Sequence, residues 1–61
     1  MKPYTELLTS LLAMEFGKTL ERAQELVRDN PKTVTQGIMH GNQSLRAVAM
    51  LLDDADQKER E

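Results

Sequence analysis

The side chains that could do chemistry are few, and they are poorly placed for it. His40 is the sole imidazole of the chain. As a general base it would need an oriented carboxylate and a nucleophile within hydrogen-bond reach. Its neighbours are Gly41, Asn42 and Ser44, and the chain has no cysteine. The simpler reading is a surface histidine near a helix C-terminus, where its cationic form meets the helix dipole favourably. Asp53, Asp54 and Asp56 suggest a cation site, but the glycine and closing glutamate of an EF-hand loop are missing. They read as a solvated acidic end. Glu6, Glu15, Glu21 and Glu25 fall on two different segments, and no Glu-x-x-His pair exists for a di-iron bundle. The expectation is a protein that is not an enzyme, with no cofactor, no metal and no small-molecule substrate.

Sixty-one residues make one domain, which buries only about 60% of the surface its unfolded chain exposes. Disulfides, metals or self-association usually support a core this small. Without cysteine the first is excluded, as are thiolate zinc and iron–sulfur sites, and one histidine builds no metal site unaided. Self-association remains. The lack of cysteine also fits a reducing compartment, and the expected location is cytoplasmic. A net charge of −2 argues against nucleic acid, whose binding draws on Lys and Arg, and Tyr4 and Phe16 alone make no stacking platform. The apolar run 7–14 follows Lys2 but contains no cleavage pattern. It is far shorter than the roughly 20 residues that cross a bilayer. Lys2 is the only basic residue before Lys18, so attachment of this first segment to a membrane surface has little support.

These residues must be carried by helices. Tyr4, Leu7, Leu8, Leu11 and Leu12 follow the spacing of one helical face, with Pro3 in the first turn and Met14 and Phe16 widening the stripe. Gly17 stops this segment as a left-handed C-terminal residue. Thr19 stands as the N-cap of a second segment, Leu20 to Asp29, whose stripe is Leu20, Ala23, Leu26 and Val27. Asn30-Pro31 ends it. A third segment lies between Pro31 and Gly41, with two competing starts: the capping-box pair Thr33 and Gln36, or Asn30 with Pro31 as first helical residue. Gly37 in its middle costs about 1 kcal/mol relative to Ala. It implies either the close passage of another helix or a single loose turn. A fourth segment begins at Asn42 or Ser44. Leu45, Val48, Ala49 and Leu52 form its stripe, and Ala47, Met50, Leu51 and Ala55 broaden it until most of the helix is apolar. The fold expected is all-α, a small three- to four-helix bundle of short antiparallel helices. Residues 1–56 form the single domain and residues 57–61 a polar, frayed tail.

Two families share fragments of this pattern. In residues 34–51, Gly37, Gly41 and the cap near Ser44 resemble the small-residue and turn positions of a helix-turn-helix. His40 and Asn42 fall where that motif wants apolar side chains, and the would-be recognition helix carries one cation, Arg46, before ending in acids. The stretch Met14-Glu15-Phe16-Gly17 is similar to the Met-Gly-Phe loop of ubiquitin-associated domains. Gly41-Asn42 with Ala47, Val48, Leu51 and Leu52 is similar to their last helix. That resemblance implies a binding surface of Met14, Phe16, Leu51 and Leu52. It covers two short pieces, with Glu15 in place of the loop glycine, a stretch between Phe16 and Asn42 that is several residues too long, and a leucine pair later than the family places it.

The reading this sequence favours is a protein–protein interaction module that self-associates, as a homodimer, or binds another protein. The apolar faces of its first and last helices exceed what one copy can cover. The residues expected at the partner interface are Leu7, Leu8, Leu11, Leu12 and Met14 from the first helix, and Val48, Leu51 and Leu52 from the last. The alternatives are a helix-turn-helix-like DNA-binding regulator and, behind it, a ubiquitin-associated-like binding module.

Overall fold

The computed structural model describes residues 3–40 and 45–60. Within them lie four helices and no strand: α1 (Tyr4–Glu15), α2 (Leu20–Asp29), α3 (Pro31–Met39) and α4 (Leu45–Arg60). The chain is a small all-α helical bundle, as its apolar spacing requires. α1 packs against both α2 and α4, and α3 packs chiefly on α4.

Local chemistry sets the boundaries. Pro3 is extended and lies just before α1 rather than within its first turn, and its carbonyl accepts from the N–H groups of Glu6 and Leu7, each at 3.1 Å. Gly17 has φ of +68°, the left-handed conformation that glycine adopts without steric cost. The N–H of Lys18 donates back to the Leu12 carbonyl at 3.3 Å, which turns the chain toward α2. Thr19 caps α2 as its position predicts, its hydroxyl accepting from the N–H of Arg22 at 3.0 Å.

Between the two possible starts of α3, the structure has Asn30 with Pro31 in the first turn, not the Thr33–Gln36 capping box. Asn30 serves both helices. Its Nδ2 donates to the Leu26 carbonyl of α2 at 2.7 Å, and its own carbonyl accepts from the N–H of Val34. A helix starting at Pro31 leaves Thr33 inside the first turn, where it has no capping role. Gly41 as the terminator of α3, and Asn42 or Ser44 as the cap of α4, lie outside the described residues.

The core is built from Leu8 and Leu12 of α1, Ala23 and Leu26 of α2, Val34 of α3, and Val48, Ala49 and Leu52 of α4. Tyr4, Leu11, Phe16, Val27 and Leu45 pack around it half-buried. Gly37 lies close against side chains of α1 and α4. A Cβ there would lie 2.5 Å from both the Tyr4 hydroxyl and Cγ2 of Val48, so only glycine lets α3 lie against α4 at this spacing. Of the two explanations for a mid-helix glycine, close passage is the one observed.

α4 does not fray at residue 57. It continues to Arg60, and the Glu59 carboxylate holds Arg22 of α2 at 2.6 Å. The other polar residues there pair within α4, Lys58 with Asp54 and Arg60 with Asp56, each at 3.5 Å.

Candidate functional site

Two features go beyond an ordinary apolar core. One is a buried carboxylate. The other is an open apolar groove.

Asp56 sits four residues beyond Leu52 on the face of α4 that the core occupies, and it has no exposed surface. Lys18, between α1 and α2, brings Nζ to 2.7 Å from Oδ2 of Asp56 and 2.6 Å from Oδ1 of Asp53. Arg22, in the first turn of α2, donates through Nε to Oδ1 of Asp56 at 2.8 Å. Both Asp56 oxygens therefore accept from a cation, as a desolvated carboxylate requires. The hydrogen bond from Lys18, followed by that from Arg22, outweighs burial and lowers the Asp56 pKa to about 2. Lys18 is raised in turn, by its bonds to Asp53 and then Asp56. Arg22 is held cationic by Asp56 and Glu59. This cluster is a structural clamp: it holds the second half of α4 to the start of α2, and its polar atoms are engaged with one another.

Asp56 is thus a correction to the reading of an acidic solvated end. A sequence signal for it did exist. Val48, Leu52 and Asp56 are spaced four apart, so a carboxylate continuing a buried stripe needed a cation facing it.

The groove lies on the other side of α4. Phe16, at the C-terminal end of α1, and Ala47, Met50 and Leu51 of α4 line an opening of about 580 Å3, with Asp53, Asp54 and Gln57 along its rim. Ala47 and Leu51 also border a smaller hollow of about 240 Å3, completed by Gly37, His40 and Val48 among others. Met50 and Leu51 are each 58% exposed, and Met14, two residues before Phe16, is 83% exposed.

The residues expected at an interface divide between inside and outside. Leu8, Leu12, Val48 and Leu52 are buried in the core and offer nothing to a partner while the chain is folded. Leu11 is half-buried and packs against that core. Leu7, Met14 and Leu51 remain exposed. The covered residues are those that the neighbouring helices reach, and helical spacing alone does not reveal which half of a broad apolar arc a neighbour will take. Met50 and Ala47 belong to the groove although the interface expected from sequence omitted them.

The basic side chains mostly face acids of the same chain. Lys18 and Arg22 are committed to the Asp56 cluster, Arg46 meets Glu15 at 2.6 Å, and Arg28 lies beside Asp29. No family model, characterised protein or solved structure matches this chain. The surface itself must therefore carry the functional argument. No described helix is long and apolar enough to cross a membrane. Among the described residues, no group of three acidic or histidine side chains is arranged to hold a metal ion.

Proposed function

We propose that this protein is a non-enzymatic protein–protein interaction module that associates with a second copy of itself through the outer face of α4 and the adjoining end of α1. The observation behind this reading is the groove of Phe16, Ala47, Met50 and Leu51, an apolar surface left open after the core has closed. Contiguous apolar surface with a polar rim marks interaction sites. Methionine suits such a surface because its unbranched side chain adapts to what it meets. The small core of the described residues supports the same reading, since pairing two copies enlarges it. The absence of cysteine fits a reducing, cytoplasmic setting.

Compared with the interface expected from sequence, the contact keeps Leu51, gives up the buried Leu8 and Leu12, and adds Ala47 and Met50. The test is light scattering on the wild-type protein and on Leu51→Asp. The wild type should give a mass above one chain, and the variant the mass of one chain with unchanged helicity. A wild type that is monomeric at every concentration contradicts the reading.

A further inference from the structure

The charges along the outer face of α4 have an order that bears on how two copies meet. At about 100° per residue, Arg46, Met50, Asp54, Ala47 and Leu51 fall within one arc of about 140°. All of them are exposed. Along the axis Met50 lies midway between Arg46, four residues before it, and Asp54, four residues after it. Arg46 and Asp54 are both well exposed, at 63% and 63% of their side-chain surface.

Resting on the self-association just proposed, we infer that two copies pack their α4 helices antiparallel about a two-fold axis near Met50, with each Arg46 facing Asp54 of the other copy. A two-fold contact brings one patch onto itself, so residue i meets j and j meets i. With the axis at Met50, positions four before and four after are exchanged. The cation of each copy meets the acid of the other twice over, and Met50 and Leu51 of each copy enter the opposite groove. A parallel arrangement instead sets Arg46 against Arg46 and Asp54 against Asp54, which like charge opposes. The existing pair between Arg46 and Glu15 is compatible with the antiparallel contact, because a guanidinium has five N–H donors and can serve two carboxylates. Among the described residues, Asp54 pairs with Lys58 at 3.5 Å. The charged ends thus set direction, while the apolar centre supplies the contact.

Charge exchange tests this directly. Arg46→Glu alone should place acid against acid and weaken self-association about tenfold, and Asp54→Arg alone should place base against base with the same effect. An equimolar mixture of the two variants should recover wild-type affinity, because every carboxylate of one then faces a guanidinium of the other. Loss of the internal Arg46–Glu15 pair cannot produce that recovery, since mixing leaves it broken. A second measurement is independent of these changes. A spin label on Arg60→Cys, the only cysteine of the chain, lies ten residues from the axis. It should report labels about 30 Å apart along the helix direction, against about 10 Å for parallel packing. A dimer whose affinity ignores both substitutions, or whose labels lie close together, overturns the antiparallel arrangement and leaves self-association standing. A wild type that never dimerises overturns both.

Discussion

The Lys18 ammonium lies 2.7 Å from Oδ2 of Asp56, a carboxylate with no exposed surface, and so ties the α1–α2 connection to the second half of α4. Arg22 closes the other oxygen of the same group. The fold therefore depends on an ionised acid in its interior, and acid should weaken it. Asp56 has its pKa lowered from the ordinary 3.8 to about 2. The folded chain binds this proton less readily than the unfolded chain. The stabilisation is thus complete above pH about 4 and is lost as the pH falls toward about 2. Urea unfolding followed across that window should show the midpoint falling with pH, and in Asp56→Asn the part of that slope due to this group should vanish. An equal slope in the variant would show that other carboxylates carry the effect.

Removing the acid altogether leaves two cations facing a space without a counter-charge. Asp56→Ala should cost about 2–3 kcal/mol, below the usual range for a broken buried pair because Lys18 and Arg22 retain some access to water and to Asp53 and Glu59. Thermal unfolding at neutral pH measures it, and a loss below about 0.5 kcal/mol would mean that the clamp is not structural.

Gly37 is fixed by what it touches. Alanine favours a helix interior over glycine by about 1 kcal/mol, but its Cβ would meet the Tyr4 hydroxyl and Cγ2 of Val48. Gly37→Ala should therefore destabilise by about 1–3 kcal/mol in spite of its propensity. Val48→Ala removes one of the two obstructing atoms, so the double variant should lose less than the sum of the singles. Additive losses would place the strain elsewhere.

The core and groove leucines should respond differently. Leu12→Ala empties a fully buried site and should cost about 2–5 kcal/mol. Leu51→Asp changes a side chain that is 58% exposed and should leave the unfolding midpoint of the dissociated chain within about 0.5 kcal/mol of wild type. Chemical denaturation at low protein concentration separates the two. Loss of fold in the Leu51 variant would assign that residue to the core instead.

Much of the architecture was legible because it is local. Gly17 and Thr19 announce the end of α1 and the start of α2 through their own backbone and side-chain chemistry, and the leucine spacing of α1 gives its helical period. What was not legible depends on residues distant in the chain. Asp56 is buried because Lys18 and Arg22 reach it from 38 and 34 residues away, and nothing within α4 reveals those partners. Leu7 and Leu8 stand side by side in one stripe, yet one is 42% exposed and the other buried, since the position of the neighbouring helices decides which side of the stripe is covered. For that reason Leu8, Leu12, Val48 and Leu52, expected at an interface, lie in the core, and the groove at Phe16, Met50 and Leu51 depends on how α1 and α4 are set against each other.

The central claim is that the open face of α4 is closed by a second copy. Sedimentation equilibrium of the wild-type protein, from micromolar to millimolar concentration at neutral pH, tests it most directly. The mass should rise with concentration toward twice the 6.9 kDa of one chain, and Leu51→Asp should stay at a single chain throughout. A wild-type mass fixed at one chain across the whole range would contradict the account.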